Sequence, residues 1–226
     1  MGEIVKIAVD GRSAEGYFAE AGADRAGVIV IQEWWGLVDH IKSIVDRFAR
    51  AGFNAFAPDL YHGQATTEPD MARKLVMELK LDSAAVEIAS AAKFLKDKGN
   101  KGNGQVGVVG FCMGGSLAIW GASLVPEISA AVAFYPGASW ERQNPRWDNF
   151  KGKFVNFHCS EGDGTSAAPG IQEAIKNIET AGGSVEAFDY PGTQHAFFND
   201  ERPQVYEEVA AKLAWQRTLD FFNAHL

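Results

Sequence analysis

The sequence predicts an α/β fold: a mainly parallel, twisted sheet with helices on both faces and an antiparallel hairpin at its start. Three observations predict it. Short apolar runs recur between segments of helical period, as strands and crossover helices do in a parallel sheet. The run at 28–31 is apolar throughout, the pattern of a strand buried on both faces. Asp10-Gly11 stands between two apolar segments and signals a hairpin. The 226 residues suit one domain spanning 1–226.

The chain opens with strands at 4–9 and 17–19 around Asp10-Gly11-Arg12. After the strand at 28–31, Ile41, Ile44, Val45 and Phe48 follow the spacing of one helix face, and Gly52 supplies the C-terminal cap. A strand at 54–57 is stopped by Pro58-Asp59. Residues 61–67 read as a loop, and Pro69 fits a first helical turn. Residues 70–79 and 82–98 form one or two helices, followed by a flexible turn, GNKGNG, at 99–104. A strand at 105–109 leads into a helix at 113–124, closed by Pro126. Strands at 128–134 and 153–158 come next, then a helix at 169–181 with Gly182-Gly183 after it. A strand at 184–190 and a helix at 204–224 complete the alternation. In such sheets active sites form on the loops at the carboxyl ends of the strands.

Composition removes several function classes. The net charge of -8 argues against nucleic acid and against an anionic membrane surface as partners. No apolar run reaches the length of a membrane span. The opening MGEIVKIAVDGRS lacks the basic start and apolar core of a signal peptide. Two cysteines, Cys112 and Cys159, make no disulfide framework, and the expected location is cytoplasmic. There is no dinucleotide fingerprint, no phosphate-binding P-loop and no Cys/His metal spacing, so no cofactor and no metal is expected. His158, Glu161 and Asp163 could gather around an ion, but a turn beside a catalytic acid explains them equally well.

The stretch Gly110-Phe111-Cys112-Met113-Gly114-Gly115 has the spacing of the G-x-S-x-G nucleophile elbow, with cysteine in the place of serine. A strand that turns at once into a helix exposes the residue at the turn, and the helix N-terminus favours a thiolate there. Taken alone, a cysteine between glycines is more often a small buried residue. The strand–turn–helix context selects the nucleophile. The N–H of Met113 then faces a developing oxyanion.

The elbow pattern places the acid and the histidine after later strands, in that order. Of the five histidines, His195 alone combines that order with a loop just past the last strand. The acid belongs in the loop after 153–158, where Asp163 is the first candidate and Glu161 the reserve. A second oxyanion donor is expected in the loop after an early strand, and the N–H of Trp34 suits it. Glu33, a carboxylate directly after an all-apolar strand, is either a solvated loop charge or a group that contacts the cysteine. Trp34-Trp35 reads as core or pocket wall.

These residues resemble the dienelactone hydrolase family (carboxymethylenebutenolidase-like enzymes) of the α/β-hydrolase fold. The resemblance covers nearly the whole chain. It rests on Gln32-Glu33-Trp34-Trp35-Gly36, Pro58-Asp59-Leu60-Tyr61, the cysteine elbow, Tyr135-Pro136-Gly137, the Asp163 loop and His195-Ala196-Phe197. It implies a Cys112–His195–Asp163 triad acting on lactones or small esters through an acyl-thioester, with Glu33 in contact with the resting cysteine and no cofactor. Substrate contacts are expected from Trp35, Tyr61, Arg73, Phe197, Asn199 and Arg202. Relatives that take dienelactones hold the substrate carboxylate with arginines, one of them shortly after the histidine. Here that segment reads Phe197-Phe198-Asn199, and the nearest arginine is Arg202. The expected partner is a small-molecule lactone or ester, and the expected assembly a monomer or weak homodimer. A second reading is a non-catalytic relative that binds a small ligand or senses oxidants through Cys112. A third is a thioesterase or peptidase using the same nucleophile.

Overall fold

The computed structural model describes residues 1–99, 104–137 and 140–226. It contains eight strands: β1 (Glu3–Val9), β2 (Arg12–Ala19), β3 (Gly27–Ile31), β4 (Asn54–Pro58), β5 (Val106–Phe111), β6 (Ile128–Phe134), β7 (Phe154–Ser160) and β8 (Ser184–Tyr190). The helices are α1 (Asp39–Arg50), α2 (Pro69–Glu78), α3 (Leu81–Asp97), α4 (Met113–Leu124), α5 (Pro169–Thr180) and α6 (Glu208–His225). The sheet order is β1-β2-β4-β3-β5-β6-β7-β8. β1, β2 and β4 pair antiparallel, and every pairing from β4 through β3 to β8 is parallel.

Alternation along the central strands explains why helices cover both faces. Ile29 and Ile31 of β3, with Val106 and Val108 of β5, join one core under α3, α4 and α5. Val28 and Val30, with Val109 and Phe111, join the other under α1 and α6. Each residue of β3 and β5 is buried, so both strands read as apolar runs rather than alternating ones. β3 and β5 lie side by side mid-sheet, and their carboxyl ends deliver Gln32-Glu33 and Cys112 to one edge.

Of the boundaries that differ from the sequence reading, three have a clear local reason. β2 begins at Arg12 rather than 17, because Asp10 and Gly11 (φ 42° and 75°) make a two-residue turn that pairs Val9 with Arg12. The polar alternation of Arg12, Ser13 and Glu15 hides that part of the strand. β7 continues past His158 to Ser160, where Cys159 and Ser160 pair with Asp189 and Tyr190 of β8. α6 begins at Glu208 rather than 204, because the backbone from Ala196 to Glu207 is a series of turns, among them Val205 N–H to Arg202 O at 3.0 Å. The expected turn at 99–104 falls at 100–103 outside the described residues.

Candidate active site

Cys112 occupies the step between β5 and α4 with φ 56° and ψ -120°, a conformation that costs an L-residue energy and turns its side chain out of the sheet. The neighbouring glycines make this step feasible. A Cβ on Gly110 would stand 1.9 Å from the Gly114 carbonyl oxygen, and one on Gly114 would stand 2.4 Å from that of Gln32. The start of α4 therefore lies against the backbone that carries Glu33. Met113 opens α4, so its N–H has no intrahelical acceptor. Trp34 sits in the turn closed by Gly36 N–H on Glu33 O at 3.4 Å.

His195 lies on the loop leaving β8, its side chain 40% exposed. Its Nδ1 is 2.8 Å from Asp163 Oδ2. Nε2 is thereby left for other partners, and the Cys112 sulfur lies close enough to act on the charge of the ring. Partial burial works against charge on this ring, but Asp163 and the Cys112 sulfur outweigh it and raise its pKa to about 10. Burial works to raise Asp163 as well, yet bonds from His195 and Ser160 hold it below the usual carboxylate range. The Ser160 hydroxyl donates to the same Oδ2 at 2.5 Å. Asp163, not Glu161, reaches the histidine. Glu161 instead accepts from Gly192 N–H at 2.6 Å, and Gly162 N–H donates to Thr193 O at 2.9 Å. These bonds lace the acid loop to the histidine loop.

Glu33 is buried, 1% exposed. Oε2 accepts from Asn199 Nδ2 at 3.0 Å, and Oε1 has no hydrogen-bond partner among the described residues. Burial raises its pKa against the opposing influence of Asn199, His195 and Arg202.

Two cavities lie beside this centre. One, of about 340 Å³, is lined by Trp35, Val38, His40, Asn199, Arg202 and Gln204, with Thr66, Thr67 and Glu201. The other, of about 280 Å³, has Tyr61 in its wall together with Arg12, His62 and Lys80. The Tyr61 hydroxyl donates to Met113 Sδ at 3.4 Å.

The structure thus brings together Cys112, His195 and Asp163, while Trp35, Asn199 and Arg202 line the first cavity, Tyr61 lines the second, and Asn199 links the first to Glu33. Two of the sequence-predicted contacts stand apart. Arg73 is exposed on α2 and pairs with Asp70 at 3.2 Å. Phe197 is fully buried in the core, 4.9 Å from the ring of Tyr190. His158 turns its nitrogens to Tyr190 Oη (2.7 Å) and Thr218 Oγ1 (3.0 Å), so it does not converge with Glu161 and Asp163 on an ion. Among the described residues no group of histidine, cysteine and acidic side chains could hold a metal, and no helix is long and apolar enough to cross a membrane.

Sequence reasoning gave no role to Ser160 or to the Tyr135 side chain. Tyr135 has φ 35°, is 1% exposed, and its hydroxyl has no partner among the described residues. Its ring lies 5.0 Å from that of His195. The available signal was its position at the carboxyl end of β6, the same kind of place that Cys112 and Glu33 occupy.

A mainly parallel eight-stranded sheet with a strained strand-to-helix turn at Cys112, at the end of a central strand, is the α/β-hydrolase fold. The dienelactone hydrolase family profile matches residues 15–226, and the chain belongs to that family. By class it is a carboxylic ester hydrolase. Protein usf of Aquifex pyrophilus is 35% identical over 233 residues, covering the whole of both chains. An Aquifex aeolicus protein with the provisional name carboxymethylenebutenolidase is 33% identical over 233 residues, again covering both fully. Among solved structures, a provisionally named dienelactone hydrolase from Klebsiella pneumoniae superposes with a TM-score of 0.81. It is 26% identical, covering 99% of this chain and 98% of that one. A dienelactone hydrolase-like promiscuous phosphotriesterase from metagenomic libraries also reaches 0.81, at 18% identity over the same shares, and shares the fold.

Proposed function

We propose that this protein hydrolyses lactones or small carboxylic esters through a Cys112–His195–Asp163 triad and an acyl-thioester. The observation that carries the reading is the ordered contact Asp163–His195–Cys112 at the tip of a strained elbow. Cys112 sulfur attacks the substrate carbonyl, and the N–H groups of Trp34 and Met113 bind the resulting oxyanion. His195 Nε2 gives its proton to the departing alkoxide, leaving the acyl group on sulfur. Water then attacks the thioester, with His195 taking its proton. Collapse releases the carboxylic acid and restores the cysteine. Asp163 keeps the proton of His195 on Nδ1 and balances the imidazolium. No step requires a cofactor.

The cavity beside Trp35 carries Arg202, Thr66 and Thr67, which suit an acyl group with a polar or anionic end. Arg202→Gln should raise KM for an ester bearing a terminal carboxylate about tenfold and leave its uncharged counterpart nearly unchanged.

The direct test is a lactone and ester panel run on wild type, Cys112→Ala and Cys112→Ser. Alanine should abolish turnover while circular dichroism shows the fold intact. Undiminished turnover by the alanine variant sinks the proposal. A panel with no turnover by wild type, beside rapid alkylation of Cys112, would favour the thiol sensor.

A further inference from the structure

Every polar group of Asn199 is engaged. Its backbone N–H donates to Ala196 O at 2.9 Å, and its carbonyl accepts from Arg202 N–H at 3.0 Å. Its side-chain Oδ1 accepts from Glu201 N–H at 3.1 Å, which fixes the orientation of the amide and leaves Nδ2 to donate to Glu33 Oε2 at 3.0 Å. The other oxygen, Oε1, is buried without a partner among the described residues. So is the Tyr135 hydroxyl, on which Glu33 and then Cys112 are the strongest of the acting charges. Two orphaned buried polar atoms beside a strained nucleophile are not explained by packing.

Resting on the ester-hydrolase reading, we propose that Asn199 is a positioning residue that holds Glu33 beside the nucleophile with a proton on Oε1. A neutral amide donor suits a carboxyl group in either protonation state, whereas a cationic partner would commit it to carboxylate. The groups facing Glu33 are His195 and Arg202, which favour its charge, and Glu201, which opposes it, with the Tyr135 hydroxyl nearby. Burial outweighs them, and Glu33 titrates above the usual carboxylate range. The proton falls on Oε1, since Oε2 already accepts from Asn199. A neutral Glu33 does not repel the negative charge that forms on Cys112 sulfur or on an oxyanion at Trp34 N–H. An ionised Glu33 repels both. Sulfur reactivity should therefore decline, relative to a permanently neutral side chain, as rising pH ionises Glu33.

The test uses iodoacetamide alkylation of Cys112 across the acid-to-alkaline range, read as the rate ratio of Glu33-containing protein to its Glu33→Gln counterpart. Hydrolysis of p-nitrophenyl acetate is measured in parallel. In wild type the ratio should fall as pH rises. Asn199→Asp places a second negative charge at the site, opposes ionisation of Glu33 as Glu201 does, and should move that fall about one pH unit toward alkali. Asn199→Leu removes the donor that favours the carboxylate and should move it about one unit toward alkali, with kcat reduced and KM little changed. Loosened packing would instead admit water to Glu33 and move the fall toward acid. If Asn199→Leu fails to fold, the near-isosteric Asn199→Asp decides alone. A flat wild-type ratio, or an Asp variant with the wild-type profile, overturns the proposal. So does a shift of either variant toward acid. Expected shifts without ester hydrolysis by wild type would instead overturn the hydrolase reading and leave the Asn199 assignment standing.

Discussion

His158 and His195 are both delivered by the last two strands of the sheet, His158 from within β7 and His195 from the loop that leaves β8. His158 is fully buried between Tyr190 and Thr218, two neutral hydroxyls. Burial, helped by the Arg217 charge, pushes its pKa down to about 3. His195 keeps 40% of its side chain exposed, and the Asp163 carboxylate and the Cys112 sulfur push its pKa up. One ring is a neutral hydrogen-bonding spacer in the core, and the other, paired with a carboxylate and partly exposed, is the one proposed to carry protons. Partner charge and solvent access separate the two roles, and neither is written in the residue type.

The largest effect that separates the pair is chemical. His195→Ala should lower kcat/KM for an activated ester by about a thousandfold or more with little change in melting temperature. His158→Gln should do the reverse. It removes one partner each from the Tyr190 and Thr218 hydroxyls, which keep Arg217 and the Ala214 carbonyl, costing about 1 kcal/mol of stability, with kcat preserved. Parallel thermal melts and steady-state kinetics check both, and equal activity losses in the two variants would erase the distinction. Next in size is Asp163→Asn, which leaves His195 without its carboxylate and should lower kcat about a hundredfold or more, read in the same assay.

Stability in acid should sharpen the comparison further. His158 and His40 both titrate lower when folded, about 3 and about 4, because burial disfavours their charged forms. The unfolded chain binds those protons near the ordinary histidine value. Stability is therefore full above that value and declines as pH falls toward the folded values, by about 1.4 kcal/mol per unit for each ring. Urea unfolding at stepped pH measures this slope. His158→Gln should roughly halve it, and an unchanged slope would place the acid sensitivity elsewhere. The smallest effect belongs to Ser160→Ala. Loss of one of the two donors on Asp163 should lower kcat about threefold.

Much of this arrangement was legible in the sequence where chain geometry forces residue type. The glycines at 110 and 114 are demanded by contacts of 1.9 and 2.4 Å, so the elbow shows itself as spacing. Cys112, Glu33 and His195 follow strand ends, which apolar runs reveal. Legibility stops where the outcome depends on what faces what. Asp163 and Glu161 sit in the same short turn, and only the fold shows that one meets His195 while the other ties down Gly192. Asn199 reads as a polar loop residue open to substrate, but it lines the cavity with its amide committed to Glu33 and Glu201. Arg73 keeps a helical spacing that says nothing of which way α2 turns, and it pairs with Asp70. The late start of α6 was hidden because Val205 and Tyr206 continue a helix-like pattern through turns.

The central claim is that Cys112 carries the acyl group. Enzyme in excess over p-nitrophenyl acetate, quenched in acid within milliseconds and digested for peptide mass spectrometry, tests it directly. The account predicts an acetyl group on the Cys112 peptide that appears with p-nitrophenol release and decays at the turnover rate. Release of p-nitrophenol with Cys112 unlabelled at every time point, or with the acetyl group on another residue, would contradict it.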